Sequence, residues 1–293
     1  MLITVFTPTY NRAYLLPRLY QSLVAQTNKD FKWLVVDDGS SDETRELVAS
    51  YMNENIIAID YVFQENQGMH GAHNTAFETI TTPYCMCIDS DDFLPPNAIE
   101  LVSKNISRIG GEMAGLVGLD ADLEGNIVGT TIPAHLEKVK INELYSIHGV
   151  SGDKKMVYKT KIIASYPKYP LFKGERFVPL DYKYLLIDQD YDLLPLNEVL
   201  CIVEYQQDGS TKNILSQYVK NPKGFAFSRI SRVNYDRTFY QRFKNAIHLV
   251  SSAIFAKDLR LICQTKRSVL VLAAFPFGLA LNFYIRLKTQ HLK

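Results

Sequence analysis

Residues 84–92 read Tyr-Cys-Met-Cys-Ile-Asp-Ser-Asp-Asp, a short apolar run followed directly by a dense acidic turn. The apolar run from Tyr84 to Ile88 predicts a buried strand. The carboxylates of Asp89, Asp91 and Asp92 repel one another unless a cation or a hydrogen-bonded ligand offsets their charge. In an α/β sheet the carboxyl ends of the strands face the ligand crevice. The stretch therefore predicts oxygen ligands for a divalent cation whose shell a ligand phosphate completes, with a solvated acidic turn as the alternative.

Size and composition are those of an ordinary globular protein. The chain has 293 residues, of which 47% are hydrophobic and 22% charged, and a formal net charge of +1. This length allows one large domain, or one domain with a small appendage. The near-zero charge creates no global field that would attract nucleic acid, so nucleic acid is not expected as a partner. The four cysteines form no C-x-x-C pair, which is typical of a reducing compartment, and the N-terminus resembles a first strand rather than a signal peptide.

The first hundred residues alternate between strand and helix patterns. Strands are predicted at 2–6, 31–36, 56–63 and 84–88. Helices are predicted around Leu15–Leu23, at 42–51 after a capping box from Ser40 to Glu43, at 71–79, and after Pro95-Pro96. This alternation predicts a mostly parallel sheet with helices on both faces. Further along, 114–118, 127–132 and 199–205 are predicted strands, and 165–180 is a predicted loop.

Two other polar segments follow predicted strands. Thr7–Arg12 carries side chains and N–H groups that could bind a nucleoside, or it is an ordinary strand–helix loop. It contains neither a dinucleotide fingerprint nor a P-loop. Asp37 and Asp38 could accept hydrogen bonds from a base or from ribose hydroxyls, or could cap the helix that follows.

A third polar segment spans 66–74. Its glycines, Gly68 and Gly71, permit close approach of the backbone to a ligand. His70 and His73 could share a helix face, but a hard cation prefers oxygen ligands, so these residues are not the expected metal site. We expect His73 or Asn74 to pack against the nucleotide or the acidic turn instead.

These segments, in this order, resemble the family 2 glycosyltransferases of GT-A fold, of the kind that build bacterial surface polysaccharides. The stretches that carry the resemblance are Thr7–Arg12, Val35–Asp42, Asn66–Gly68 with Ala72–Asn74, and Asp89–Asp92. The resemblance covers the first hundred residues well and continues less tightly to about residue 230.

The resemblance implies a role for each loop. The Asp89-x-Asp91 pair looks like the DXD motif, with Asp91 holding Mn²⁺ or Mg²⁺ at the donor diphosphate. The implied nucleotide-binding residues are Thr7, Pro8, Tyr10, Arg12, Asp37, Asp38, Asn66, Gly68, Asn74, Asp89 and Ser90. Such a metal clamp offsets the charge that develops on the leaving nucleoside diphosphate.

The resemblance also implies a general base in the second half of the chain. The family often carries a Glu-Asp pair there, and in this sequence the matching place is Leu180-Asp181. Asp181 is therefore the candidate base, with Glu175 in reserve, and the alternative for Asp181 is a helix cap after Pro179. Residues 207–211 resemble a loop that closes over the donor, or form a plain turn.

The C-terminal region has a different character. From about Asn221 it is helical and basic, and 268–285 is apolar except for Asn282, with basic residues on both sides. Pro276 and Gly278 interrupt this segment, which favours a bent or re-entrant element touching a membrane over a straight span. The alternative is a buried C-terminal helix.

Together these patterns predict a catalytic domain at 1–220, with a nucleotide-binding half at 1–110 and an acceptor half at 111–220, and a membrane-associating region at 221–293. The expected function is an inverting transfer from a nucleotide sugar, UDP-linked by resemblance, to a lipid-linked or polysaccharide acceptor. The expected location is the cytoplasmic face of a bacterial plasma membrane. The alternatives are a metal-dependent nucleotidyltransferase and a non-catalytic nucleotide-binding protein.

Overall fold

The computed structural model describes residues 1–204 and 214–290. The chain divides into two compact units. The first consists of Met1–Lys168 together with the segment that begins at Asp190 and forms the last strand of the sheet. The second consists of Tyr169–Gln189 together with the helices from Ile214 onward. The predicted boundary at residue 220 differs from this partition, because Tyr169–Gln189 groups with the C-terminal helices.

The first unit is built on a seven-stranded mixed sheet with the order β3-β2-β1-β4-β6-β5-β7. The strands are β1 (Ile3–Thr9), β2 (Phe31–Asp37), β3 (Ile59–Phe63), β4 (Tyr84–Cys87), β5 (Met113–Ala121), β6 (Lys154–Lys159) and β7 (Asp192–Ile202). Neighbouring strands from β3 to β4 are parallel, β6 is antiparallel to both β4 and β5, and β7 is parallel to β5. This confirms the predicted mixed α/β sheet.

The helices of the first unit connect these strands. They are α1 (Leu16–Val24), α2 (Thr44–Glu54), α3 (Met69–Thr79), α4 (Ala98–Asn105), α5 (Ile141–Ser146) and α6 (Thr160–Ser165). The core packs between helix faces and the sheet, and Ile3, Leu19, Trp33 and Met86 are fully buried within it. Strands β1 and β2 are buried along nearly their whole length because a parallel sheet is covered on both faces.

The capping box predicted at Ser40 is wrong. Helix α2 begins at Thr44, later than predicted, and its N-cap residue Glu43 makes no side-chain cap. The Ser40 hydroxyl instead accepts a hydrogen bond from the Asn11 amide at 2.9 Å. The Ser40 hydroxyl, which the local pattern assigned to the start of α2, therefore binds the loop after β1 instead.

The middle of the unit also departs from the prediction. The predicted strand at 127–132 is wrong, since Ile127 makes only an isolated bridge to Ala121. Strand β6 was not predicted, and β7 begins at Asp192 rather than at Val199. Polar and charged residues interrupt β6, so it lacks the clean alternation that marks a strand in a sequence.

The second unit is helical. Its elements are α7 (Asp181–Asp190), α8 (Ile214–Lys220), α9 (Pro222–Tyr235), α10 (Phe239–Phe255), a 3₁₀ helix (Leu259–Gln264) and α11 (Ser268–Lys288). Its core lies among α9, α10 and α11, where Ala226, Val233, Leu249, Val250 and Ala274 are fully buried.

Candidate functional site

Three polar loops meet at one edge of the sheet. Strands β2, β1 and β4 are adjacent and parallel, so the loops that follow them leave from the same carboxyl edge. From β1 the chain continues to β2 and β3 on one side of β1, and then to β4 on the other side. The strand order therefore reverses at β1. A crevice outside the carboxyl ends at such a reversal is the usual ligand site of an open α/β sheet.

Two arginines hold the acidic turn after β4. The Asp92 amide donates to the Asp89 carbonyl at 3.0 Å and closes the turn. Arg18 donates to the Asp91 carbonyl at 2.7 Å and also pairs with Glu204 at 2.6 Å. Arg12, from the loop after β1, approaches the Asp91 carboxylate at 3.9 Å. The side chain of Asp91 remains 26% exposed, so part of it is accessible from outside the protein.

A buried group of charges lies behind this turn. The Lys155 ammonium is 3.7 Å from the Asp92 carboxylate, and both side chains are largely buried. Burial acts to lower the pKa of Lys155, but the surrounding groups, among them the carboxylates of Asp120, Asp92 and Asp89, raise it well above its usual value. The surrounding groups therefore favour the charged form of Lys155 beside the acidic turn.

The carboxylates around Lys155 behave differently from surface acids. Burial raises the pKa of Asp92 to about 7, against the opposing pull of Lys155. Burial likewise raises the pKa of Asp120, which is 1% exposed. Among the described residues, Oδ1 of Asp120 has no hydrogen-bond partner. The single positive charge of Lys155 thus cannot neutralise both Asp92 and Asp120 if both are ionised.

We expect Asp92 to make stability pH-dependent. Its folded-state pKa of about 7 lies above its ordinary value of 3.8, so the folded protein holds this proton more tightly than the unfolded chain does. The resulting stabilisation is complete below about pH 4 and is lost as the pH rises through about 7. Asp92→Asn should therefore gain stability relative to the wild type between pH 5 and pH 8, in urea unfolding without metal or nucleotide. A difference in unfolding free energy that stays constant over this range would contradict the assignment.

Hydrogen bonds join the loops that follow β1 and β2. Asn11, in the left-handed region at φ 51°, accepts a hydrogen bond from the Ser41 amide at 2.8 Å through its side-chain oxygen. The Ala13 amide donates to the Asp42 carboxylate at 3.0 Å. Asparagine tolerates this backbone conformation better than most residues. The two loops are therefore held together at the carboxyl edge of the sheet.

The two aspartates after β2 organise the neighbouring loops. The Asp38 carboxylate accepts hydrogen bonds from Gln64 Nε2 at 2.7 Å and from the amides of Gln67 and Gly68 at 2.8 and 2.7 Å. Gly68 lies at φ 83°, a conformation that glycine adopts without strain. Asp38 thus fixes the start of α3, and its predicted contact with a base stays a prediction.

Asp37 likewise accepts hydrogen bonds that hold neighbouring segments in place. Its carboxylate accepts hydrogen bonds from the Ser40 amide at 2.8 Å and from the Tyr61 hydroxyl at 2.6 Å. Burial, and then the hydrogen bond to Asp37, raise the pKa of Tyr61. Asp37 therefore ties the turn after β2 to the neighbouring strand β3.

The other predicted nucleotide-binding residues differ in how far they are exposed. Tyr10 is 49% exposed, and Arg12 and Asn66 are partly exposed, so they offer surface to a ligand. The side chains of Pro8, Asn74 and Ser90 are mostly buried, with Asp89 intermediate. Thr7 is fully buried and its hydroxyl accepts a hydrogen bond from the Trp33 indole at 3.0 Å, so the structure places it in the core rather than on the crevice surface.

The histidines of α3 belong to the core. His73 Nδ1 lies 2.9 Å from the Met69 carbonyl, and its ring packs edge-on against Phe6 and Phe77. Across residues 1–204 and 214–290, no three His, Cys, Asp or Glu side chains form a group that could hold a metal alone. Mg²⁺ and similar ions are commonly held by one or two carboxylates together with substrate phosphates and waters. The partly exposed Asp91 fits that kind of site.

Asp181, the candidate base, lies in the second unit as the first residue of α7. Its carboxylate forms a salt bridge with Arg232, whose Nε donates to Oδ2 at 2.6 Å. The Ser228 hydroxyl donates to Oδ1 at 3.1 Å. Both carboxylate oxygens of Asp181 therefore have a partner within the second unit.

Glu175, the reserve base, contacts the beginning of α9. Its two oxygens accept hydrogen bonds from the amides of Lys223 and Gly224, at 3.0 and 2.8 Å. These amides belong to the first turn of a helix, where N–H groups lack partners within the helix. A carboxylate there also complements the helix dipole. The contacts give Glu175 a helix-capping role.

We expect Glu175→Ala to lower the free energy of unfolding by about 1–2 kcal/mol, because two amide donors lose their partner. Glu175→Gln, which keeps one acceptor oxygen, should lose less. Both are measured by urea denaturation. An Ala variant as stable as the wild type but inactive would contradict the capping role and point to chemistry at Glu175.

Sequence reasoning missed Arg18, Asp120 and Lys155. Arg18 lies on the first helix beside leucines, where an arginine usually faces solvent. Lys155 lies in an unpredicted strand, and nothing local marks it as buried. Residues 207–211, named as a possible closing loop, lie outside the described residues.

Comparison with known proteins identifies the first unit. The family model described as glycosyl transferase family 2 matches residues 4–157, more than half of the 293-residue chain. Chondroitin synthase of Escherichia coli is 30% identical over 128 residues, which cover 43% of this chain and 18% of that protein. Teichoic acid poly(glycerol phosphate) polymerase of Staphylococcus epidermidis is 31% identical over 115 residues, which cover 38% of this chain and 16% of that protein. The first curated relatives are matched over at most about a third of their own length, at 32%, 16% and 18%.

Solved structures extend the likeness in fold over the whole chain. S. aureus TarS 1-349 in complex with UDP-GlcNAc has a TM-score of 0.63 at 16% identity, covering 100% of this chain and 93% of that one. Mannosyltransferase PcManGT from Pyrobaculum calidifontis, in complex with GDP-Man and Mn²⁺, has a TM-score of 0.56 at 16% identity. The match covers 96% of this chain and 87% of that one. These likenesses confirm the predicted GT-A fold.

Proposed function

The chain belongs to glycosyl transferase family 2, and we propose that it transfers a sugar from a nucleotide-sugar donor, with UDP as the nucleotide, to an acceptor hydroxyl with inversion. The observation that carries the proposal is the acidic turn at the carboxyl edge of β4, fixed in place beside the loop after β1. A structural neighbour bound to UDP-GlcNAc supports the choice of UDP.

The donor diphosphate is assigned to the crevice between the loops after β1 and β4. Asp91, with Asp89 beside it, would hold Mn²⁺ or Mg²⁺, and a neighbour with GDP-Man and Mn²⁺ supports this assignment. When bound, the ion offsets the negative charge of the leaving nucleoside diphosphate. Arg12 lies 3.9 Å from Asp91 and can direct its guanidinium toward a phosphate once the carboxylate is engaged elsewhere. Tyr10, exposed at the same edge, offers an aromatic surface to the base.

Asp181 is assigned the role of general base. Inversion needs one displacement and one group to take the proton from the acceptor hydroxyl. The salt bridge with Arg232 and the hydrogen bond from Ser228 hold the carboxylate in one orientation. An oriented carboxylate is what such a proton transfer needs.

The acceptor is proposed to be a lipid-linked or polysaccharide glycan of the bacterial surface, reached from the cytoplasmic face of the plasma membrane. Relatives named for chondroitin and teichoic acid synthesis support a glycan or polymer acceptor. Helix α11 is long and apolar enough to enter a membrane. Membrane contact would bring the enzyme to an acceptor that is confined to the bilayer.

Asp91→Asn should lower metal-dependent donor turnover by about 100-fold or more, because a neutral amide is a poor ligand for a hard cation. The assay scores release of free UDP from UDP-sugars with Mn²⁺ and with chelator. Glu124→Gln, which removes an exposed carboxylate from another turn, is the matched control and should keep full activity. Equal dependence on Mn²⁺ in Asp91→Asn and wild type would remove Asp91 from the site. Release of pyrophosphate from UTP and a sugar 1-phosphate, in a parallel assay, would mark a nucleotidyltransferase.

Asp181→Asn should lower kcat by about 10²- to 10⁴-fold while the donor KM changes little, because the amide cannot take the acceptor proton. Asp190→Asn, at the other end of α7, is the matched control. Circular dichroism and thermal unfolding establish that each variant folds, since the change also weakens the salt bridge with Arg232. A folded Asp181→Asn enzyme with wild-type kcat would rule out this base.

A further inference from the structure

Helix α11 has one face that is buried against the protein. The buried residues recur at helical spacing and are Val271, Ala274, Gly278, Asn282 and Ile285. Gly278 allows a close approach to α10, since a Cβ at this position would lie 2.4 Å from Val250 Cβ. Asn282 donates a hydrogen bond to the Ser251 carbonyl at 3.2 Å. The helix is thus docked along α10 and does not stand free.

The opposite face of α11 is exposed and apolar. Its exposed large side chains are Val269, Leu272, Phe277, Leu279, Phe283, Tyr284 and Leu287. The apolar surface continues onto the start of α10, because Phe277 packs against Phe243 and Phe243 stacks on the exposed Phe239. Soluble proteins rarely expose an apolar patch of this extent without a partner.

The docking of α11 on α10 argues against a transmembrane span. A crossing helix would carry α10 into the hydrocarbon with it, because the contacts run from Phe277 against Phe243 to Arg286 over Phe255. Helix α10 carries an exposed Lys244 and a buried Asn245. A charged side chain at the bilayer centre is costly. The helix pair can instead lie in the membrane surface with only the outer face of α11 inserted.

The charges around α11 indicate what covers this face. Residues 259–290 contain Arg260, Lys266, Arg267, Arg286 and Lys288 and no acidic residue. Basic residues thus bracket the apolar helix at both ends, as they do in helices that bind anionic bilayers. Two copies of this chain meeting through the same face would bring like charges together.

We infer that α11 is a monotopic membrane element. It lies in the plane of an anionic bilayer, with the face from Val269 to Leu287 inserted and the face from Val271 to Ile285 held by α10. The inference rests on the membrane contact of the proposed function and specifies its geometry and its lipid. Binding to vesicles is measured without substrate, so a failed inference and a failed activity are seen separately.

The first experiment is flotation of the full-length protein with vesicles of phosphatidylcholine, with and without 30% phosphatidylglycerol. Binding should be at least about tenfold stronger to the anionic vesicles, and should weaken as salt is raised. Leu272→Glu with Phe283→Glu should lower binding by about tenfold or more, because charge replaces inserted apolar surface. Leu123→Glu, at an exposed leucine of the first unit, is the matched control and should bind as the wild type does.

The second experiment measures insertion depth with brominated lipids and single Trp substitutions at Val269, Leu279 and Leu287. The native Trp33 is fully buried and gives a constant background. An in-plane helix predicts similar, shallow depths at all three positions. A central position far deeper than the two ends would show a span and overturn the inference. So would equal binding to both kinds of vesicle, no binding to either, or a dimer in solution that Leu272→Glu with Phe283→Glu abolishes.

Discussion

The acidic turn after β4 can exist because cations surround it. Arg12 approaches the Asp91 carboxylate, Arg18 holds its backbone carbonyl, and Lys155 lies buried beside Asp92. Carboxylates this close repel one another, and each partner removes part of that repulsion. Lys155 lies on the buried side of the turn, whereas the Asp91 side chain is 26% exposed. The proposed binding of a divalent cation and a diphosphate depends on this balance of charge.

Local sequence patterns are sufficient to place the loops at the edge of the sheet. An apolar run that ends in carboxylates marks both a strand and its carboxyl end, so the amino-acid sequence alone assigns Asp38 and Asp91 to that edge. The same reasoning could not predict Lys155, because its burial depends on β6 inserting antiparallel between β4 and β5. The capping box predicted at Ser40 was wrong for a related reason, since the Asn11 amide of a neighbouring loop donates a hydrogen bond to the Ser40 hydroxyl. Contacts between residues distant in sequence decide both cases.

The second unit shows the same limit. The resemblance to the family gave Asp181 as the candidate base and Glu175 as the reserve, without showing what either carboxylate contacts. Pairing with Arg232 and Ser228 orients one carboxylate, while the other caps a helix. In the same way, an apolar segment with basic ends is compatible with a span or with a surface helix. Its docking on α10 favours the surface.

Metal binding at Asp91 is tested most directly by diffraction from crystals grown with UDP and Mn²⁺, with data collected at a wavelength where manganese scatters anomalously. If Asp91 holds the ion, one anomalous peak should lie within about 2.5 Å of an Asp91 carboxylate oxygen and beside the phosphates of UDP. UDP bound in the crevice with no manganese at Asp91, or manganese bound elsewhere, would contradict this assignment.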